Sequence, residues 1–232
     1  MNTDEIVANN FTDENIGYEI RYDHLYKIII IGDTSVGKTA LLSKYLKGVF
    51  PTSPLATVAT EFATKIIQIK EGGYIKAQIW DTAGEEKYKS ITYHHYKKSV
   101  GGLIVYDITK RSSFDNVKNW YDDLVTLGEK GCVIALVGNK LDLVERNERK
   151  REVDKSEAQA YADDNHMLFF ETSAYNGNNI NDIFEELLQT IYTERRKIPE
   201  LKERDSLLET GNIISLKNQT EKNKNTKDDC EC

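Results

Sequence analysis

A chain of 232 residues, 39% hydrophobic and 30% charged, has room for one substantial α/β core with tails and the makeup of a soluble protein. Its net charge of −7 includes no basic stripe, which argues against nucleic-acid binding, and no apolar run approaches the roughly 20 residues that cross a bilayer. Three cysteines, two crowded at the end, speak for a reducing compartment rather than a disulfide framework, and the four histidines form no ligand constellation.

Residues 1–23 are polar and acidic, with Asp4, Glu5, Asp13, Glu14 and Glu19 and no Lys or Arg through residue 20. A flexible arm without a secretory signal is expected there. Lys27 to Ile31 is an apolar, β-branched run too short for a helix, the profile of a strand buried on both faces. It leads into Gly32-Asp33-Thr34-Ser35-Val36-Gly37-Lys38-Thr39, which fits G-x-x-x-x-G-K-[ST]. Glycines let such a loop curl until successive N–H groups share one concavity, a cradle for anionic oxygens, and the helix that follows aims its positive end there. Thr34, Ser35, Val36, Gly37, Lys38, Thr39 and Ala40 are thus expected around phosphates. Lys38 would bring charge to the β- and γ-phosphates, and the Thr39 hydroxyl could ligate Mg²⁺.

The segment Phe50 to Thr60 holds Pro51 and Pro54 and cannot be a long helix. Glu61–Lys70 and Tyr74–Trp80 are strand-like and joined through Gly72-Gly73, so a hairpin and one antiparallel strand are expected. Strands at Leu103–Tyr106, Val133–Val137 and Leu168–Phe170 alternate with helices at 112–127, 155–162 and 179–192. This pattern favours a mostly parallel sheet covered by helices on both faces. Cys132 reads as a core residue, and Leu143 to Val153 as a solvated insertion. In such a sheet ligands bind outside the carboxyl ends of the strands, where three further motifs fall. Asp81-Thr82-Ala83-Gly84 offers a carboxylate for a metal-bound water. Asn139-Lys140-Leu141-Asp142 offers a carboxylate that accepts from guanine N1–H and N2–H₂, a pair adenine lacks, which disfavours an ATPase or kinase. Glu171-Thr172-Ser173-Ala174 offers the Ala174 N–H to the guanine carbonyl, with Ser173 and Tyr175 beside it.

With these motifs the stretch Tyr26–Tyr192 resembles the small GTPases, and among them the Rab family, nearest its Rab-eleven-like branch: GDTSVGKT, TVATEF, KAQIWDTAGEE, YKSIT, LIVYDIT, NKLD and ETSA all match. The resemblance implies a P-loop fold with a six-stranded, mostly parallel sheet over residues 24–196, binding GTP or GDP with Mg²⁺. It also implies that Thr57 ligates Mg²⁺ when the γ-phosphate is present, that Gly84 contacts that phosphate, and that Lys140 flanks the base. Loss of the phosphate would release both switch segments. Phe62, Trp80 and His95 map to the effector-facing aromatic triad, and exchange factors, GTPase-activating proteins, a GDP-dissociation inhibitor and effectors are the implied partners.

Three positions depart from the family pattern. Glu85 stands where a glutamine is usual, and a carboxylate cannot donate toward phosphoryl oxygens, so slow hydrolysis is expected. Ala59 replaces a first-switch glycine beside the stiffening Pro51 and Pro54, and His95 replaces a tyrosine. Residues 197–232 carry seven Lys or Arg against eight Asp or Glu, a tether without a polybasic patch. They end Cys230-Glu231-Cys232, which resembles the Rab ending that carries two geranylgeranyl groups. The cytosolic face of recycling-endosome or Golgi-derived membranes, with a cytosolic pool, is the implied location.

Overall fold

A computed structural model describes residues 22–51, 61–70, 73–82 and 95–198. Strand β1 (His24–Ile31) continues through the phosphate-loop motif into helix α1 (Lys38–Lys47). The hairpin β2 (Glu61–Gln68) and β3 (Tyr74–Asp81) follows, then β4 (Gly101–Asp107), α2 (Arg111–Asp115), α3 (Val117–Leu127) and β5 (Val133–Asn139). The remaining elements are α4 (Leu141–Glu145), α5 (Lys155–Asp164), β6 (Leu168–Glu171) and α6 (Ile180–Arg196).

The sheet runs β2-β3-β1-β4-β5-β6; β2 pairs antiparallel with β3 and every other pair is parallel. This is the expected six-stranded sheet with one reversed strand. β1 starts three residues before the apolar run because His24 and Leu25 pair with Ile75 and Lys76 of β3, an anchorage that hydropathy does not reveal.

Alternate residues of β1 point into opposite layers. Tyr26, Ile28 and Ile30 pack with Leu41, Leu42 and Tyr45 of α1 and with Ile183, Phe184, Leu187 and Leu188 of α6. Ile29 and Ile31 pack with Val117, Trp120 and Leu124 of α3 and with Ala158 and Ala162 of α5. Helices therefore cover both faces, and burial on both sides explains why β1 and β4 read as continuous apolar runs. β3 alternates instead, with Ile75, Ala77, Ile79 and Asp81 buried and their neighbours more exposed.

Two expectations need correction. The helix expected over 112–127 is two helices meeting at Asn116, which keeps a right-handed helical conformation, so the apolar period carries no trace of the junction. The stretch 143–153 is not a simple solvated insertion. α4 takes up its start, Val153 is fully buried, and the Glu152 and Val153 N–H groups donate to the Ile108 carbonyl. Arg151 forks onto the buried Glu171 carboxylate, its Nη2 at 3.0 Å. Cys132 is half-buried, and burial pushes its thiol up to about 12, as befits a packing residue.

The chain divides into two units, residues 1–192 and 193–232. In the second, Lys197 pairs with Glu194 at 2.6 Å. Among the described residues no helix is long and apolar enough to cross a membrane.

Candidate functional site

The phosphate-loop motif leaves β1 at Gly32, whose φ of +139° a side chain would strain; a Cβ there would also stand 2.1 Å from the Val105 carbonyl oxygen. Gly37, at φ +100°, has Asn139 Nδ2 where its Cβ would be, 2.3 Å away. Ser35 is also left-handed, at φ +65°. Alternation of handedness is what lets neighbouring N–H groups converge on an anion. Thr34 and Ser35 are exposed, while Val36 is buried beneath them.

Lys38 is buried, and its Nζ donates to the Gly32 and Asp33 carbonyls, both at 2.8 Å. Burial pulls its pKa down to about 8, partly opposed by the carboxylates of Asp81 and Asp33. An ammonium bound to neutral carbonyls in a poorly solvated position gains strongly from an arriving polyanion. Next to it, Thr39 Oγ1 donates to Asp81 Oδ2 at 2.5 Å. Pairing of Ile30 with Asp81 brings that carboxylate to the end of β1, and Thr82 Oγ1 ties the neighbouring backbone to the Ile30 carbonyl at 2.9 Å. A hydroxyl and a carboxylate in contact form an all-oxygen donor set, which suits a hard Mg²⁺ ion and not a soft metal. Ala40 is half-buried in the first turn of α1.

The base-side motifs meet at Asn139, the last residue of β5. Its Nδ2 donates to the Val36 carbonyl at 2.9 Å, and its Oδ1 accepts from the Ala174 N–H at 3.1 Å and from Thr172 Oγ1 at 3.3 Å. One amide thus links three loops. The Ala174 N–H, expected to meet a base carbonyl, is here turned to Asn139. Lys140 adopts φ +72° and pairs with Asp107 at 2.7 Å. Asp142 is buried; its Oδ1 accepts from Ser173 Oγ at 2.7 Å and its Oδ2 pairs with Arg146 at 2.9 Å.

Three residues at this end escaped the sequence reading. The Arg146 guanidinium lies 4.5 Å from the Tyr175 ring centre, and Phe50 meets the same ring edge-on at 5.5 Å. Phe50 and Tyr175 are both exposed, and the Arg146 side chain over the Tyr175 ring connects this aromatic pair to Asp142. The third is Asp107, whose Oδ1 accepts from the Thr109 N–H and Oγ1 while Oδ2 holds Lys140. An aspartate ending an apolar strand was the only available signal.

Phe62, Trp80 and His95 pack in series as tilted rings with centres 4.9 and 5.2 Å apart. Phe62 is 51% exposed, whereas Trp80 and His95 are half-buried. Thr57, Ala59, Pro54, Gly84, Glu85, Cys230 and Cys232 lie outside the described residues.

Residues 27–193 match the sequence profile described as the Ras family. The chain is 38% identical over 206 residues to the Ras-related protein RABA1b of Arabidopsis thaliana, covering 87% of this chain and 93% of the relative. It is 45% identical over 174 residues to the GTP-binding protein ypt3 of Schizosaccharomyces pombe, with 75% and 79% covered. It is also 45% identical over 170 residues to the Ras-related protein Rab-11C of Dictyostelium discoideum, with 73% and 74% covered.

Proposed function

From the premise that the chain belongs to the Ras family of small GTPases, in the Rab-eleven-like branch, we propose that it is a membrane-anchored GTP/GDP switch that recruits effectors in vesicle traffic. The observation that carries this reading is a buried ammonium on the phosphate loop and a buried carboxylate held by Ser173, on loops that the Asn139 amide joins. The first suits a polyphosphate and the second a guanine edge.

In the proposed cycle Lys38 leaves the Gly32 and Asp33 carbonyls for the β- and γ-phosphate oxygens. Thr34 to Ala40 surround the phosphates, and Asp142 accepts from guanine while Lys140 and Phe50 flank its ring. Thr39, Asp81 and, by resemblance, Thr57 would hold Mg²⁺, which when bound neutralises charge shared by the β- and γ-oxygens. Water attacks the γ-phosphorus and the bond to the β–γ bridging oxygen breaks, giving GDP and phosphate. Loss of that phosphate frees Thr57 and Gly84 and so withdraws the effector surface around Phe62, Trp80 and His95. Geranylgeranyl groups on Cys230 and Cys232 would hold the chain on endosomal or Golgi-derived membranes, since a single chain anchors only marginally. Exchange factors, activating proteins and a dissociation inhibitor complete the family pattern. The tail 197–232 serves as the tether of the nucleotide-binding domain over residues 24–196.

Chromatography of the ligand released from purified protein tests the reading: a guanine nucleotide is expected, and its replacement by an adenine nucleotide would overturn the assignment. Lys38→Ala should weaken GDP binding by roughly a hundredfold or more, in line with loss of a charge-assisted contact in a desolvated site.

Glu85 favours a second reading, a GTP-loaded scaffold that hydrolyses little. Its carboxylate cannot donate to the phosphoryl oxygens and adds charge near a polyanion. Single-turnover hydrolysis in the wild type is expected below the intrinsic range of order 10⁻⁴ to 10⁻² s⁻¹. Glu85→Gln should raise it about tenfold, whereas equal rates would remove the reason for this reading.

A further inference from the structure

Asp33 presents a contradiction: it puts a carboxylate on the loop that must bind a polyanion. Its side chain is nevertheless not left to face the phosphate cradle. Oδ2 accepts from Asn116 Nδ2 at 2.8 Å and Oδ1 accepts from the Trp120 indole N–H, also at 2.8 Å. Both donors lie more than 80 residues away in the chain, at the start of α3. Asn116 is the N-cap residue of α3; its side chain makes no capping hydrogen bond, and its Nδ2 donates to Asp33. The carboxylate itself therefore lies at the positive end of an eleven-residue helix, where negative charge is favoured. Trp120 is buried in the layer beneath β1, so its indole is a fixed donor rather than a swinging one. The backbone carbonyl of the same aspartate is one of the two acceptors that hold the Lys38 ammonium.

We propose that Asp33, Asn116 and Trp120 form a latch that positions the phosphate loop by turning the Asp33 carboxylate away from the phosphates and fixing the carbonyl beside Lys38. Asp33 is a positioning residue in this scheme and touches no nucleotide. The latch ties nucleotide retention to the seating of α3, so that a shift of that helix loosens the phosphate end of the cleft. The inference rests on the guanine-nucleotide reading above.

The test is the release rate of a fluorescent GDP analogue from the full chain carrying Asp33→Ala, Asn116→Ala or both. Asn116→Ala, which removes one of the two hydrogen bonds to the carboxylate, should speed release by about tenfold, and Asp33→Ala, which removes both, by at least as much. The double variant should be no faster than Asp33→Ala alone, because that change already breaks the whole latch. A double variant clearly faster than Asp33→Ala, or no effect in the singles, overturns the proposal. A charge exchange guards against simple loss of folding. Asn116→Asp opposes two carboxylates and should give the fastest release, and adding Asp33→Asn should restore a slow rate by reversing donor and acceptor. Failure of that rescue also counts against the latch. Wild type is measured in parallel: if it retains no guanine nucleotide, the functional reading falls together with the latch, whereas retention with an additive cycle removes the latch alone.

Discussion

Asp142 has both carboxylate oxygens engaged within the protein, one by Ser173 and the other by Arg146. A base that takes over the second must displace or share a guanidinium, so discrimination here depends on the carboxylate remaining an acceptor. Asp142→Asn is expected to lower GTP affinity by roughly ten- to a hundredfold, the cost of leaving a buried donor without its acceptor. It should also favour xanthine nucleotides, whose C2 carbonyl accepts from the new amide. Competition between GTP and xanthosine triphosphate measures this, and an unchanged preference for GTP would show that Asp142 does not read the base. Lys38, Thr39 and Asp142 stand out in the sequence as candidates because each sits in a short motif whose chemistry is local. Arg146, Phe50 and the partners of Asp33 do not, because their meaning depends on residues brought close only by folding. For Asp33 and Asn116 that separation is 83 positions.

Strands and helices were legible to the extent that burial imprints a period. Parallel strands buried on both faces lose alternation, so β4 was read as Leu103–Tyr106, whereas the ladder with β5 starts at Gly101 and closes at Asp107. The missing ends are small or polar: a Cβ on Gly101 would stand 2.5 Å from Ile191 Cδ1, and one on Gly102 would stand 2.3 Å from Leu124 Cδ2. Helix packing has set those glycines, and hydropathy does not register the constraint. α6 was found readily because Ile183, Phe184, Leu187, Leu188 and Ile191 mark one face. Phe184 is fully buried, with its ring stacked 3.9 Å from that of Tyr45 in α1. Phe184→Ala should cost about 3–5 kcal/mol through lost burial and a cavity. In a chain of this size that lowers Tm by roughly 10 °C, readable by calorimetry. A fall of only a degree or two would mean that α1 and α6 close over the gap.

The strand order could not be read from the chain, since no local period encodes which strand neighbours which. The ladders of the structure supply it, as β2-β3-β1-β4-β5-β6. The near-balanced charge of residues 197–232 also has a consequence for the whole molecule: without a basic patch to assist, attachment to a bilayer would rest on the two terminal thiols. In cells, Cys230→Ser together with Cys232→Ser should move the protein from the membrane pellet to the supernatant, and either change alone should leave a weakly held fraction. Persistence of the double variant in the pellet would exclude lipid anchoring as the sole attachment. The four isoleucines of β1 divide between the two layers, Ile28 and Ile30 on one side and Ile29 and Ile31 on the other, and the strand they build ends where phosphate would bind. Neither oily compartment can melt and leave that tip intact. A tenant at the tip therefore braces both halves at once, and its removal should register as one downward step in melting temperature for the entire sheet.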